Sequence, residues 1–301
     1  MEHTADSHGT VSYSAAFAIG IALNVIFIAA EIFYGFSSNS LSLVADAAHN
    51  VSDVAGLALA WGAAWLVTRA PTLRRTYGYR RSSILAAVAN ATLLLVAVGG
   101  ILFESVQRLL HPQPTAALTV IVVAAFGVLI NGVSALLFAR GREHDLNIRG
   151  AFVHMAADAG ISFGVICAAI IGRMTGLLWI DPAAGIAISL LVLFSAWGLS
   201  RDSFNLAFDA IPSHIDPAKV HVYLANLPNV TEVHDIHIWP LSTTEIALTA
   251  HLVRPNSHVD DALLEEAAQR LERDFSIQHA ALQIEAGDPL HPCRFAPPEQ
   301  L

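Results

Sequence analysis

His49 and Asp53 are four residues apart, and so are His154 and Asp158. Each pair sits inside a long apolar run, Asp46-Ala47-Ala48-His49-Asn50-Val51-Ser52-Asp53 in one case and His154-Met155-Ala156-Ala157-Asp158 in the other. A four-residue step puts both side chains on one helix face. An aspartate at the centre of a bilayer costs about 2.5–3.5 kcal/mol on insertion scales, so two such pairs point to chemistry. Two imidazoles and two carboxylates make a tetrahedral ligand set for a divalent cation such as zinc, and they neutralise it. The same groups titrate: a proton on histidine removes the lone pair that the metal needs, so metal and protons compete. With no coordination position left open, the set suits binding and release better than hydrolysis. The plain alternative is a pair of helix-packing hydrogen bonds. It accounts for one such pair more readily than for two matched ones.

The elements that must position these residues are apolar helices. The chain has 301 residues, 54% of them hydrophobic and 14% charged, with a mean hydropathy of +0.55. A soluble domain carries about 25% charged residues, so this composition belongs to a membrane protein. Six segments, near 13–35, 41–67, 82–108, 115–139, 149–173 and 179–200, are each long enough to cross ~30 Å of hydrocarbon as a helix. Turn signals separate them: Ser37-Ser38-Asn39-Ser40, Ala70-Pro71, His111-Pro112-Gln113-Pro114, Gly141 and Asp181-Pro182. The quartet falls on the second and fifth spans. Small residues there (Ala47, Ala48, Ser52, Ala55 and Gly56; Ala156, Ala157, Ala159 and Gly160) permit close approach of those helices. Asp46, one turn before His49, is a candidate for holding that ring in one tautomer from behind, or else an acid at a helix N-terminus. Asn24, Glu31, Asn90, Glu104 and Asn131 also lie within spans. Each either wets a pathway or makes an interhelical hydrogen bond.

Charge sets the orientation. The loop after the second span holds Arg69, Arg74, Arg75, Arg80 and Arg81, and the loop after the fourth holds Arg140, Arg142 and Arg149. Positive residues stay inside, so both termini are expected in the cytoplasm, in a multi-pass protein of the cell (inner) membrane. Residues 1–12 lack Lys and Arg, so no secretory signal peptide is expected. The net charge of −9, without a basic stripe, excludes nucleic acid as a partner. Cys167 and Cys293 form no C-x-x-C and no disulfide framework. Cys167 reads as a small core residue. Cys293, two residues after His291, is either a weak metal ligand or part of a flexible tail.

Beyond about residue 209 the apolar runs shorten and acids appear. Residues 216–227 and 258–274 read as helices, and 230–239, 244–253 and 279–286 as strands. The expected organisation is an N-terminal tail over 1–12, a six-helix membrane domain over 13–208, an αββαβ domain over 209–288 and a flexible tail over 289–301. A domain this small has a modest core and gains from dimerisation.

Several motifs occur in order. Ser42-Leu43-Val44-Ala45-Asp46-Ala47-Ala48-His49-Asn50-Val51-Ser52-Asp53 resembles helix 2 of the cation diffusion facilitators. Tyr77-Gly78-Tyr79-Arg80-Arg81 with Glu104, His154-Met155-Ala156-Ala157-Asp158, and Val233-His234-Asp235-Ile236-His237-Ile238-Trp239 resemble that family's later segments, so the likeness spans roughly residues 12–287. The resemblance implies a homodimeric metal–proton antiporter that exports divalent cations, with a cytoplasmic metallochaperone-like α+β domain. A quartet with histidine at position 49 is the pattern of zinc-preferring members, with cobalt and cadmium also accepted; ligand type alone separates these ions poorly. The metal is cargo or regulator, and no cofactor is implied.

The resemblance also carries over a cytoplasmic metal site of His234, His251 and Glu285, and a charge pair, Arg81 with Asp209, that ties the dimer together. Strand alternation places His251 and Glu285 away from the core, but puts His234 on the face of Ile236 and Ile238. Either His234 turns out at the strand start or His237 takes its place; His279 and Asp288 are further candidates. The loop Thr68-Arg69-Ala70-Pro71-Thr72-Leu73-Arg74-Arg75-Thr76 lacks the Asp and His that bind metal there in some members. A membrane metalloenzyme is the rival reading, but it needs an open metal position and a general base, and no H-E-x-x-H occurs. A membrane-anchored metal sensor is the third, and the complete intramembrane quartet argues against it.

Overall fold

The computed structural model describes residues 13–139, 146–255, 261–288, 290 and 293–295. The expected N-terminal tail, most of the C-terminal tail, and Arg140 and Arg142 therefore lie outside the described residues, as does the Asn24 side chain. Six long helices come first: α1 (Tyr13–Ser37), α2 (Leu41–Val67), α3 (Ser82–Leu110), α4 (Ala117–Phe138), α5 (Leu146–Thr175) and α6 (Ile180–Ala207). Among the described residues, α2 to α6 are each long and apolar enough to cross a membrane. α1 has 25 residues, about 37 Å of helix at 1.5 Å per residue. The last helix runs seven residues past its expected end. Ser200-Arg201-Asp202-Ser203 continues it as a polar extension beyond the apolar stretch.

Two compact units divide the chain: residues 1–54 with 94–195, and residues 55–93 with 196–301. In the first, α4 packs along α5, and α1 packs on α4. Gly127 allows this, since a Cβ there would come within 2.8 Å of both Phe27 Cζ and Ser162 Oγ. The turn between α1 and α2 is left-handed at Asn39 (φ 57°), a conformation that asparagine tolerates. Asp181, in the first turn of α6, ties down the start of α2. Its carboxylate accepts from Ser40 Oγ at 2.5 Å, the Leu41 backbone N–H at 2.7 Å and Ser42 Oγ at 2.6 Å. One of the orphan donors at the N-terminus of α2 is thereby satisfied. Arg108 pairs with Glu104 at 3.0 Å and donates to the Asn39 carbonyl at 2.8 Å, so Glu104 is an ion-pair partner.

In the second unit, α7 (Pro217–Ala225), β1 (Glu232–Pro240), β2 (Ile246–Val253), α8 (Asp261–Phe275) and β3 (His279–Glu285) form an αββαβ domain. Pro217 opens α7, and the Asp216 carboxylate accepts from the Ala218 N–H at 3.0 Å, the usual chemistry of a helix start. The sheet order is β1-β2-β3, antiparallel then parallel, with α8 as the crossover. Leu263, Ala267 and Leu271, at four-residue steps, bury the apolar stripe of α8 against Leu248, Ala250 and Leu252 of β2 and Val220 and Leu224 of α7. The opposite sheet face is left for polar residues. This unit also joins the start of α3 to the domain: Arg80 pairs with Glu245 at 2.8 Å, and Ser83 Oγ accepts from the Thr243 N–H at 3.1 Å.

Hydrogen bonds to a charged group contribute about 1.5–3 kcal/mol each, so Asp181→Ala is expected to destabilise the protein by about 2–4 kcal/mol. Asp181→Asn, which keeps an acceptor, should lose less. Thermal unfolding of both variants in one detergent checks the order.

Candidate functional site

α2 presents His49 and Asp53, and α5 presents His154 and Asp158, one helical turn apart in each case. The structure brings all four together. His49 Nε2 lies 3.3 Å from Asp158 Oδ1 and 3.9 Å from Asp53 Oδ2. His154 Nε2 lies 3.3 Å from Asp53 Oδ2 and 3.6 Å from Asp158 Oδ2. Metal bonds of about 2.0–2.2 Å in a tetrahedron imply donor–donor edges of roughly 3.3–3.6 Å; three of these four spacings fall in that range, and His154 must move closer to His49, Asp53 and Asp158 to complete one tetrahedron. Donor atoms of His49, Asp53 and Asp158 all fall within 4.8 Å of one another, and His154 joins through both carboxylates. The site is graded in access: the Asp158 side chain is 3% exposed and that of His154 43%.

Behind the quartet lies a second polar layer. Asp46 Oδ2 accepts from Ser162 Oγ at 2.7 Å. His49 Nδ1 is buried without a hydrogen-bond partner, so Asp46 does not hold that ring in this structure. Glu31 of α1 accepts from Asn50 Nδ2 at 2.8 Å. Asn131 is buried. In the other compact unit, Asn90 packs its amide against Gly56, where a Cβ would come within 2.9 Å of Nδ2.

The C-terminal domain holds the other cluster. Two β1 residues, Asp235 and Ile236, oppose one residue of β2, because His234 pairs with His251 and His237 with Thr249. This is a β-bulge, with Asp235 in the left-handed region at φ 50°. The extra residue resets the alternation. His234 therefore shares a face with His251 and Glu285, while Ile238 turns into the core. A bulge is invisible to a period-two reading, which placed His234 on the side of Ile236 and Ile238. His237 is exposed and bonds Asp235 at 3.0 Å. His279 stacks edge-on against Tyr77, and Asp288 accepts from the Leu290 N–H; neither joins the cluster.

His251 Nδ1 lies 2.8 Å from Glu285 Oε1, and His234 Nε2 lies 3.5 Å from Glu285 Oε2. Cys293 supplies a fourth donor, with Sγ 3.4 Å from His251 Nδ1. Donor atoms of His234, His251, Glu285 and Cys293 all lie within 4.8 Å of one another. The outer nitrogens face carboxylates, Glu232 at 3.3 Å from His234 Nδ1 and Asp235 at 3.6 Å from His251 Nε2, as metal-bound imidazoles commonly do. Neither nitrogen of His234 makes a hydrogen bond although both are buried and face carboxylates, so Nε2 keeps a lone pair that could serve a cation. Sequence spacing undervalued Cys293, since nothing local shows that the chain after β3 folds back over the sheet. Arg81 and Asp209 form an ion pair within one chain.

Electrostatics prepares this cluster for a cation. Burial pushes the Glu285 carboxyl up, but the Cys293 thiol and the His234 and His251 rings outweigh it and hold the group below the usual carboxylate range. Glu285 is thus ionised at neutral pH. The Cys293 thiol moves the other way. The Phe295 backbone N–H favours the thiolate, but partial burial, the bond to Glu285 and the negative charge of Asp235 push the thiol above its ordinary range. A metal ion entering at neutral pH must therefore expel the thiol proton, and uptake strengthens as pH rises toward the thiol's range. In a His49→Ala background, Cys293→Ala is expected to weaken zinc binding at least about tenfold and to flatten this pH dependence. Calorimetry across pH checks both.

Models of known families and proteins match this chain along most of its length. The cation efflux transmembrane domain matches residues 17–206, and the cytoplasmic domain of cation efflux proteins matches residues 212–287. The metal cation efflux system protein CzcD of Cupriavidus metallidurans is 37% identical over 279 residues, covering 92% of this chain and 87% of that protein. The zinc transporter ZitB of Escherichia coli is 36% identical over 261 residues, 86% of this chain and 83% of that one. A cadmium, cobalt and zinc/H(+)-K(+) antiporter of Bacillus velezensis is 32% identical over 256 residues, 83% of this chain and 82% of that one. The metal-bound C-terminal domain of the CzcD transporter from Cupriavidus metallidurans is 33% identical, covering 24% of this chain and 99% of that chain, with a TM-score of 0.22. With both the membrane and the cytoplasmic parts matched, the chain belongs to the cation efflux family, the cation diffusion facilitators.

Proposed function

We propose that this protein exports zinc from the cytoplasm in exchange for protons, with His49, Asp53, His154 and Asp158 as the site where the ion rides. The observation that carries this reading is the convergence of two imidazoles and two carboxylates, with 3.3–3.9 Å between nitrogens and oxygens, close to the edges of a zinc tetrahedron. Two neutral rings and two carboxylates cancel the charge of the ion, so a loaded site is tolerated within apolar helices. No position is left for a bound water to attack a substrate, which favours transport over hydrolysis. CzcD and ZitB are named for metal efflux and zinc transport, and that chemistry fits these ligands. Cobalt and cadmium fit the same donors less selectively.

The cycle follows from the chemistry of the ligands. Facing the cytoplasm, neutral His49 and His154 offer lone pairs to zinc. Facing outward, protons compete for those nitrogens and release the ion. Alternating access around a fixed site needs only that the helices bearing the quartet rearrange. The proposed setting is the inner membrane, with both termini in the cytoplasm, where the arginines between α2 and α3 keep that loop. The cluster of His234, His251, Glu285 and Cys293 is proposed as a regulatory site on a homodimer, where bound zinc stiffens the C-terminal domain.

Purified protein in vesicles is expected to take up zinc when a pH gradient is imposed. His49→Ala and Asp158→Ala should each lower that flux by more than the about 10–100-fold lost with a supporting hydrogen bond. A Cys293→Ala variant should still transport. Normal flux in either quartet variant would sink the assignment.

A further inference from the structure

Glu31 and Asp46 are both 0% exposed. They come from different helices, α1 and α2, and neither donates a ligand to the quartet. One oxygen of each is satisfied: Asn50 donates to Glu31 Oε2 at 2.8 Å, and Ser162 donates to Asp46 Oδ2 at 2.7 Å. The other two oxygens, Glu31 Oε1 and Asp46 Oδ1, are buried with no donor. Asn50, which holds Glu31, lies one helical turn from Asp46 on α2, so the two carboxyl groups share one buried face of that helix. As two carboxylates they offer only acceptors and cannot bond. They would also place two negative charges together where no cation is paired with them, which a low-dielectric interior penalises heavily. One proton resolves both problems. It makes one carboxyl a donor to the other and removes one of the two charges.

We propose that Glu31 and Asp46 bind a single proton between them, at a site separate from the metal quartet, and that loading of this site alternates with loading of the metal. The proposal rests on the antiport reading and assigns the exchanged proton a place in it. Coupling runs through charge. Ser162, which donates to Asp46, lies one turn from Asp158 on α5, and His49 lies one turn from Asp46 on α2, so these two ligands are the titratable groups that share faces with the pair. α4, which packs on α1 and α5, has no titratable side chain from Ala117 to Phe138. In the same unit, Glu104 and Arg108 are paired with each other, and Asp181 is held by Ser40 and Ser42. An empty quartet therefore presents the negative charge of Asp158 and favours a proton on the pair. A dication at the quartet cancels that charge and weakens the hold on the proton. Asn50 neighbours His49 in sequence, and Ser162 lies one turn from Asp158, so the donors that position the pair ride on the helices that carry the metal ligands.

The test uses the full-length protein and reads the proton directly. Infrared difference spectra in detergent, recorded on adding zinc at fixed pH, should show loss of a protonated-carboxyl C=O band that shifts in D2O. Glu31→Gln keeps an acceptor for Asn50 and nearly the same volume, and Asp46→Asn does the same for Ser162. Both variants should lose the band and release one proton fewer per zinc. The slope of zinc affinity against pH should fall by about one proton in Glu31→Gln. In vesicles its zinc flux should respond less steeply to an imposed pH gradient, because His49 and His154 still take protons. Persistence of the band in both variants, with an unchanged slope and a wild-type response to the gradient, overturns the proton site and leaves antiport standing. Wild-type flux indifferent to the gradient overturns antiport itself. Loss of the band on adding potassium at constant pH would assign the pair to a monovalent metal ion instead and overturn the proposal.

Discussion

A charge inside apolar surroundings must be neutralised where it sits, and the membrane helices of this protein are arranged around that requirement. The Asp181 carboxylate is stabilised by the three donors that Ser40, Leu41 and Ser42 turn toward it. Glu104 is tolerated because Arg108 follows one turn later. The quartet is the largest such debt: two carboxylates with only imidazoles between them. In the proposed cycle a dication balances these charges, and the groups that would bind it are the groups that would release it. Affinity and release are then one balance, tipped by protons on the rings.

The same requirement explains why the quartet is uneven. Asp158 and His49 form its buried half, and Asp53 and His154 its accessible half. In the proposed cycle a carboxylate as enclosed as Asp158 would gain most from the ion and anchor it. A ring as open as His154 could exchange a metal bond for water or a proton at little cost, which makes it the ligand to release first. Four equally buried ligands would hold the dication more tightly and let it go more slowly.

How much of this was legible in the sequence depends on whether a contact is local. The His-x-x-x-Asp steps are contacts between neighbouring turns of one helix, and helix geometry alone aligns them. The apolar lengths and the αββαβ order were equally readable, because burial is written as periodicity. His234 was named through the family resemblance, but its face was not readable from alternation, because a bulge at Asp235 shifts it and no hydrophobic pattern announces a bulge. Cys293 was not, because its partners lie on strands it reaches only by folding back over the sheet. Glu31 stood alone in an apolar helix; its meaning came from Asn50 and Asp46, both on another helix. Backbone periodicity is a first-neighbour signal, whereas polar networks between elements are set by packing.

The two metal clusters differ in donor chemistry, and that difference orders their roles. The membrane quartet offers two nitrogens and two oxygens. The C-terminal cluster offers two nitrogens, one oxygen and a thiol. A thiolate binds zinc and cadmium more strongly than a carboxylate does, and it favours softer ions. It must first lose a proton, which the carboxylate of Glu285 at neutral pH need not. The C-terminal site is therefore suited to hold an ion at low free concentration and to keep it, and the membrane site to load it only when more is present and to discard it. In the proposed scheme, a regulator that fills before the transport site loads, and empties after it, would commit the protein to export only while metal is in excess. That ordering would need no communication beyond the relative affinities that the two donor sets favour.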